Sequence, residues 1–301
     1  MKISVVMATY NGEKYLDQQL QSILNQTRKP DEIIVCDDRS TDSTASILER
    51  YQQQGLLRYY INPERLGVIG NFKRGVSLAT EGYYISLSDQ DDEWMADKLE
   101  KTAALMQQID DAHEPRMVYS DLLLVDENFN VINPSLWNEV GRQERYKHNL
   151  ETLLFNQFVN GCATLLNPPL RDLFSGIPDV KVRFHHDDWF AVAAFAFGRA
   201  ESIKEPLIRY RKHDNNVTVA SDLKPRSRYR SLTNQLRKVV KGEDDFLAIR
   251  FELAQMFYDK YAEQMKPQVK QCFESFLKLK NRSYFIKKLA FRRAIDRNLI
   301  K

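Results

Sequence analysis

The chain has 301 residues and a net charge of +3, which is enough length for one large or two modest domains with a substantial core. Its 43% of hydrophobic and 28% of charged residues are typical of a soluble globular protein, and no run of 18 apolar residues predicts a membrane-spanning helix. The three distant cysteines, Cys36, Cys162 and Cys272, argue against a disulfide framework or a zinc site and favour reduced thiols in a cytosolic protein.

The first ninety residues alternate between predicted strands and helices. Continuous apolar runs predict buried strands at residues 3–8, 32–36, 57–61 and 83–88, and the N-terminal run is too short and becomes polar too early for a signal peptide. Apolar residues at helical spacing predict a helix after each of the first three strands. This alternation is the pattern of a parallel sheet covered by helices, in which right-handed crossovers place the strand ends along one edge.

Two of these strands end directly in carboxylates. Asp37 and Asp38 follow the second strand, and Asp89, Asp91 and Asp92 follow the fourth. Ligands of open α/β sheets bind outside the carboxyl ends of the strands, and carboxylate oxygens suit Mg2+ and Mn2+. The pattern therefore favours a metal site that holds a phosphorylated ligand. The alternatives are a solvated acidic loop after the fourth strand and a favourable helix start after the second.

The remaining elements are predicted from the same signals. Beyond the acidic loop we expect a helix at 99–109, a strand at 118–121, a mobile loop at 127–149, a helix at 150–157, a short strand opened by Asn160 and an apolar helix at 190–197. Only helices are predicted from about residue 226, and a domain boundary is placed at 222, just before Pro225 and a group of arginines. No Gly-x-Gly-x-x-Gly or Gly-x4-Gly-Lys-Ser/Thr motif is present, which argues against a dinucleotide fold and a P-loop.

Three segments together resemble the opening of a family-2 glycosyltransferase. They are SVVMATYNG at residues 4–12, SILNQT at 22–27 and VCDDRSTDST at 35–44. Asp89-Gln90-Asp91 matches the Asp-x-Asp motif of that family, and the resemblance extends over roughly residues 1–220. It implies the GT-A fold, an α/β architecture with a Rossmann-like, mostly parallel sheet flanked by helices. A glycosyltransferase domain at 1–222 would then carry a helical C-terminal region at 223–301.

The longer string SDQDDEW at residues 88–94 is similar to a bacterial subgroup that includes rhamnosyltransferases of cell-surface polysaccharides. Two later strings match that subgroup in type and order: His186-Asp187 before an aromatic helix, and Tyr210-Arg211-Lys212-His213 before Asn216. The resemblance implies transfer of a sugar from dTDP-rhamnose, or from a UDP-sugar, to a glycan or a lipid-linked oligosaccharide. The enzyme would be cytoplasmic or peripheral on the inner face of the cytoplasmic membrane.

The resemblance also implies roles for single residues. The donor would be bound by six side chains, with the Asp38 carboxylate accepting a hydrogen bond from the base: Thr9, Tyr10, Asn11, Asp38, Asp89 and Gln90. A divalent metal, Mn2+ or Mg2+, would be held by Asp89, Asp91 and His213, and it would stabilise the charge of the leaving nucleotide.

Asp187 would be the general base of a direct, inverting attack on the anomeric carbon. The family usually has an aromatic residue immediately after this base, whereas here Asp188 precedes Trp189. Both carboxylates are therefore candidates. The spacing to Gly198 at the end of the helix favours Asp187.

The C-terminal residues are strongly basic. Residues 278–301 contain nine Lys or Arg and one Asp, a net charge of +8, so the first 277 residues carry −5. Apolar residues at rough helical spacing alternate with these cations: Phe285, Leu289, Ile295 and Leu299. The segment is either a basic amphipathic helix on an anionic membrane surface or a helix that packs its apolar side on the protein and exposes its charges.

The leading function is thus a metal-dependent, inverting glycosyltransferase. A nucleotidyltransferase on a related fold is an alternative, but the sequence after the first strand lacks the Gly-rich basic loop usual in such enzymes. A nucleic-acid-binding protein that uses the basic tail is another, and the acidic body argues against it. A catalytically inactive carbohydrate-binding relative is disfavoured by the complete set of candidate residues.

Overall fold

The computed structural model describes residues 1–139, 145–213 and 246–300. The chain divides into two compact units, Met1–Leu136 with Val159–Lys212, and Trp137–Phe158 with His213–Lys301. The first unit contains the sheet, and the described part of the second is mainly helical. The sequence-based boundary at 222 lies outside the described residues. The segment Trp137–Phe158 belongs with the C-terminal residues, which a single boundary along the chain does not express.

The strands are β1 (Ile3–Thr9), β2 (Glu32–Asp37), β3 (Arg58–Ile61), β4 (Tyr84–Ser88), β5 (Glu93–Trp94), β6 (Arg116–Val125), β7 (Val131–Asn133), β8 (Thr164–Leu166) and β9 (Arg199–Arg211). The helices are α1 (Leu16–Leu24), α2 (Thr44–Gln53), α3 (Gly67–Leu78), α4 (Lys98–Ile109), α5 (Leu136–Glu139), α6 (Leu150–Phe155), α7 (Pro168–Phe174), α8 (His186–Phe197), α9 (Ala248–Tyr261), α10 (Pro267–Leu277) and α11 (Tyr284–Arg297).

Within the described residues the nine strands form one sheet in the order β3-β2-β1-β4-β8-β6-β9-β5, with β7 paired to β6. The strands β3, β2, β1 and β4 are parallel, as predicted from the alternation of the first ninety residues. The short β8 runs antiparallel to both β4 and β6, and β6 is again parallel to β9. The predicted α/β architecture of GT-A type is confirmed. The ends of β1, β2 and β4 lie side by side at one edge.

Helices cover the sheet because their apolar residues recur on one face. In α1, Leu16, Leu20 and Ile23 are fully buried, and they join the core beneath the central strands. Strand β1 is buried along nearly its whole length, as expected for a central parallel strand covered on both faces. One face of α4 carries Leu99 and Met106 into this core.

Several local differences from the predicted elements have physical reasons. The two prolines at 168–169 begin α7, where a missing N–H costs nothing, and the Asn167 side chain accepts a hydrogen bond from Leu170 N. Helix α8 begins at His186, four residues before its apolar run, so the acidic pair lies in its first turn. The expected irregular region at 127–149 contains β7 and α5, and its residues 140–144 lie outside the described part.

The second unit is held by aromatic contacts. Phe251 of α9 lies 4.8 Å from Phe276 of α10 between ring centroids, and Phe155 of α6 lies 5.0 Å from the same ring. The indole Nε1 of Trp137 donates to the carbonyl of Phe158 over 2.9 Å, which ties together the two ends of the inserted segment. Across the described ranges, no helix combines the length and the apolar character needed to cross a bilayer.

The three cysteines all lie in described residues and are unpaired, in agreement with the expectation of reduced thiols. Burial raises the pKa of Cys36 in β2 and of Cys272 in α10 to about 11 in each case. Burial and the nearby charges of Asp92 and Asp89 raise the pKa of Cys162 well above its usual value. The three thiols are therefore protonated at neutral pH.

Candidate active site

The acidic loop after β4 lies at the edge of the sheet. Asp89 and Asp91 are half-buried, whereas Asp92 is fully buried. Burial, with the charges of Asp91 and Asp187 acting in the same direction, raises the pKa of Asp89 to about 7. The loop is thus a crowded carboxylate cluster, and the alternative of a freely solvated acidic turn does not fit its burial.

Asp187 belongs to this cluster although it is almost a hundred residues away in sequence. Its Oδ2 atom accepts a hydrogen bond from the backbone N–H of Gly161 over 3.2 Å. A Cβ at Gly161 would lie 2.7 Å from Nε2 of His186, so the close approach of this segment to α8 requires glycine. Burial and the neighbouring Asp188 raise the pKa of Asp187 to about 7, although His185 and the hydrogen-bonded backbone groups act in the opposite direction.

Asp188 has a different task. Its side chain accepts a hydrogen bond from His185 N over 2.9 Å and forms a capping box at the start of α8. A carboxylate in the first turn of a helix is also stabilised by the helix dipole. The two candidate bases thus have different surroundings: Asp188 is buried and engaged in the cap, whereas the charge of Asp187 acts on Asp89 of the acidic loop.

The Gln90 side chain joins the end of β4 to the end of β1. Its Oε1 accepts from Tyr10 N over 2.9 Å, and its Nε2 donates to the Tyr10 carbonyl over 3.0 Å, so the amide pairs with the backbone as a neighbouring strand would. A Cβ at Gly12 would lie 2.3 Å from Oε1 of Gln90. Glycine at this position therefore keeps space for the amide. Arg65 stacks on the Tyr10 ring, 3.9 Å from its centroid.

Asn11 connects the same turn to the segment after β2. Its φ is +49°, in the left-handed region that asparagine tolerates, and its Oδ1 accepts from Thr41 N over 2.8 Å. Its own N–H donates to the hydroxyl of Ser40 over 2.9 Å. The predicted donor-binding turn at residues 9–12 is thus bound on one side to the β2 loop and on the other to the β4 loop.

Thr9 and the acidic pair after β2 complete this edge. The Thr9 hydroxyl, buried, donates to Asp37 over 2.9 Å. The Asp38 carboxylate accepts from Asn62 Nδ2, Leu66 N and Gly67 N at 2.7–2.9 Å. A carboxylate has about four acceptor positions, so these three bonds leave about one for the hydrogen bond from a nucleotide base, and that role remains a prediction. In the structure Asp38 anchors the loop between β3 and α3.

Arg211 is a supporting residue that the sequence analysis quoted without giving it a role. Its side chain is buried and its Nε donates to the carbonyl of Asp91 over 2.8 Å. Its backbone N–H donates to Oδ1 of Asp92 over 3.2 Å, and its Nη2 donates to Gln18 over 2.9 Å. The last residue of β9 therefore braces the acidic loop at two successive positions.

Lys98 is a second residue that the sequence analysis missed. It is fully buried at the start of α4, where Nζ donates to the hydroxyl of Ser86 over 2.8 Å and lies 3.5 Å from the Trp94 ring centroid. Burial lowers its pKa to about 7, and the nearby charges of Cys162 and Asp92 act in the opposite direction. When protonated, Lys98 offsets part of the negative charge of the acidic loop above it.

The carboxylate cluster fits a divalent cation. One ligand atom each from Asp89, Asp92 and Cys162 lie within 4.8 Å of one another, and Oδ2 of Asp92 finds no hydrogen-bond donor among the nitrogen and oxygen atoms of the described residues. Mutual repulsion of Asp89, Asp91 and Asp187 is the kind of strain that a bound cation relieves. The set differs from the predicted ligands Asp89, Asp91 and His213.

His213 lies two residues beyond the end of β9 and is half-buried. It is the first residue of the second compact unit, so its predicted role at the metal or the diphosphate remains a prediction.

A sequence model described as "Glycosyl transferase family 2" matches residues 4–165, more than half of the chain. The chain belongs to glycosyl transferase family 2. It is therefore a glycosyltransferase. The match supports this leading prediction and not the alternative of a nucleotidyltransferase.

Among curated relatives of this family-2 transferase is the putative teichuronic acid biosynthesis glycosyltransferase TuaG of Bacillus subtilis, strain 168. It is 24% identical over 221 residues, which cover 72% of this chain and 81% of the relative. The dTDP-rhamnosyl transferase RfbG of Shigella flexneri is 27% identical over 244 residues, covering 75% of this chain and 78% of the relative.

Solved structures share the fold of this transferase. S. aureus TarS 1-349 in complex with UDP-GlcNAc superposes with a TM-score of 0.55 at 16% identity, covering 98% of this chain and 82% of that one. The mannosyltransferase PcManGT from Pyrobaculum calidifontis, in complex with GDP-Man and Mn2+, superposes with a TM-score of 0.57 at 18% identity, covering 97% and 72%. At such identities the likeness concerns the fold alone.

Proposed function

We propose that this family-2 transferase moves a sugar, with rhamnose favoured, from a nucleotide-diphosphate donor to a hydroxyl of a glycan or lipid-linked acceptor. The reaction would serve cell-surface polysaccharide synthesis, would invert the anomeric centre and would require a divalent metal. The observation that carries the proposal is the proximity of Asp89 and Asp187. The negative charge of Asp187 raises the pKa of Asp89. The relatives named for dTDP-rhamnose transfer and for teichuronic acid synthesis support the sugar and the pathway class.

In this mechanism Asp187 accepts the proton of the acceptor hydroxyl while the hydroxyl oxygen attacks the anomeric carbon. The bond from that carbon to the diphosphate breaks, and the nucleoside diphosphate leaves from the opposite face. A pKa of about 7 suits a general base near neutral pH. Gly161 N–H and the first turn of α8 orient the carboxylate. When bound, a divalent cation would stabilise the charge that develops on the leaving diphosphate.

The donor would lie along the edge formed by residues 9–12 and by the loop after β4. The Tyr10 ring and the Asp89 carboxylate are the proposed contacts for the nucleoside, with Asp91 as the proposed metal ligand. Asp92 and Lys98 support this loop from below and do not contact the donor in our proposal. Mn2+ or Mg2+ would suit such a carboxylate site.

Thermal-shift binding tests the donor and the metal together. The protein is heated with dTDP, UDP or GDP, each with and without Mn2+ or Mg2+. We expect stabilisation that requires the metal and is largest for dTDP. Asp91→Ala should abolish the metal-dependent part, whereas Glu81→Ala, at an exposed acidic site, should keep it. Absence of any shift with every nucleotide and metal would contradict the proposal.

A lipid-linked acceptor would bring the reaction to the inner face of the cytoplasmic membrane. We propose that the enzyme is peripheral there and that the C-terminal helices provide the contact.

A further inference from the structure

Helix α11 presents an apolar group to solvent. Phe285, Ile286 and Leu289 are 68%, 46% and 48% exposed. The opposite face of the helix packs on its own unit, because Lys287 and Ala294 are buried and Phe291 lies 5.7 Å from Phe155 between ring centroids. The orientation of α11 is therefore set by its inner face, and the three apolar side chains are left outward by the helical period.

Basic residues continue the same outward face. Arg292 and Arg293 are one turn beyond Leu289 and are exposed, and Arg292 pairs loosely with Asp296 over 3.7 Å. Arg293 also lines a groove of about 570 Å3 between α6, α10 and α11, whose walls include Phe155 and Phe276. Arginine stems can lie on apolar surface of this kind while their guanidinium groups reach outward.

We propose that this outward face of α11 is a docking surface for a bilayer with anionic lipid headgroups. The apolar group Phe285, Ile286 and Leu289 enters the interfacial region, and the following arginines contact lipid phosphates. Charge complementarity selects this occupant, because residues 278–301 carry a net charge of +8 on a chain whose other residues carry −5. The proposal rests on the peripheral contact of the proposed function and deepens it by naming the residues and the lipid chemistry.

Vesicle flotation without donor or acceptor tests the surface independently of catalysis. The full-length protein is mixed with neutral vesicles of phosphatidylcholine alone, or with anionic vesicles in which about 30% of the lipid is phosphatidylglycerol. We expect binding to the anionic vesicles and little to the neutral ones. A variant with Phe285→Ser, Ile286→Ser and Leu289→Ser should lose binding by at least about tenfold. Arg292→Gln with Arg293→Gln should lose about tenfold to thirtyfold, since each cation near the surface contributes to the partition.

Two matched controls lie in the other unit. Val131→Ser with Ile132→Ser removes exposed apolar side chains of β7, and Lys181→Gln with Lys204→Gln removes exposed cations. Both should bind vesicles as the parent does, and circular dichroism and the Tm verify that all variants are folded. The arginine variant leaves the apolar group intact, so it tests the surface even if the triple serine variant does not fold.

Three results would overturn the proposal: no flotation with anionic vesicles, equal flotation with neutral ones, or equal losses in the control variants. A fluorescent oligonucleotide serves as a competing anion. If the protein binds the oligonucleotide in a salt-dependent manner and does not float with vesicles of either composition, the basic face recognises nucleic acid and not lipid.

Discussion

Asp187 and Asp188 show how neighbouring identical side chains acquire different tasks. The first turn of α8 points Asp187 towards Gly161 N and the carboxylates after β4, whereas Asp188 turns back to His185 N as a cap. The sequence kept both as candidate bases, and only the spacing to Gly198 favoured Asp187. The two carboxylates differ in their contacts because the helix begins at His186 and both lie in its first turn. The apolar pattern begins only at Phe190 and does not reveal this start.

We expect Asp187→Asn to lower the rate of transfer by about 10^2- to 10^4-fold, because an amide cannot accept the proton, and to leave nucleotide binding nearly unchanged. Asp188→Asn should keep most of the transfer and lower the free energy of unfolding by about 1 kcal/mol through a weaker cap. The measurements are initial rates of nucleoside-diphosphate release and thermal unfolding of both variants. Loss of transfer in Asp188→Asn alone would assign the base to Asp188.

The Asp187→Asn variant also reports on the effect of pH on stability. The pKa values of Asp89 and Asp187 are raised from 3.8 to about 7, so the folded protein binds protons that the unfolded chain releases. Their contribution to stability is full below about pH 4 and is lost as the pH rises through about 7. Without metal, Asp187→Asn should therefore be about 1–2 kcal/mol more stable than the parent at pH 8 and nearly equal at pH 4. Urea titrations at both pH values measure this, and an equal difference at the two would refute the buried charge as its cause.

At the scale of elements, the edge of the sheet is assembled by side chains that imitate strand pairing. Gln90 bonds to both backbone groups of Tyr10, and Gly12 leaves the space for it. The ends of β1 and β4 are adjacent because their strands are parallel neighbours, but the strands stop pairing at Met7 and Ser88. The amide continues the connection beyond the ladder, up to the residues proposed to bind the donor.

Gln90→Ala and Gly12→Ala should each lower the free energy of unfolding by about 1–2 kcal/mol and weaken nucleotide binding, because each removes the same pair of hydrogen bonds. The double variant should then be little worse than either single one, with a coupling of about 1 kcal/mol between the sites. Gln53→Ala on the exposed end of α2 is the control and should change neither quantity. Additive losses in the double variant would mean that the two residues act separately.

At the scale of the whole molecule, the sequence predicted what depends on local pattern. The first ninety residues alternate as expected because each parallel strand is a continuous apolar run and each helix has one apolar face. The two-residue β5, the antiparallel β8 and the association of Trp137–Phe158 with the C-terminal residues depend on partners far along the chain, which no local pattern reports.

The candidate site divides in the same way. The carboxylates were found because they end strands or match a motif, whereas their supports were not. A signal for Lys98 did exist, since it occupies the buried stripe of α4 with Thr102 and Met106, but a lysine at a helix start is usually read as exposed. Arg211 carried no such signal, because its burial follows from β9 pairing with β5 and β6.

The three thiols are protonated at neutral pH, two of them are buried and Cys272 is half-buried, so the native protein should react slowly with thiol reagents. With pKa values of about 11, Cys36 and Cys272 have a thiolate fraction at pH 7 on the order of one in ten thousand, and the pKa of Cys162 is also raised well above its usual value. Maleimides and iodoacetamides should therefore spare all three. A cysteine placed at the exposed Phe285 would be modified alone, so that an environment-sensitive dye could be attached to α11 without removing any native residue.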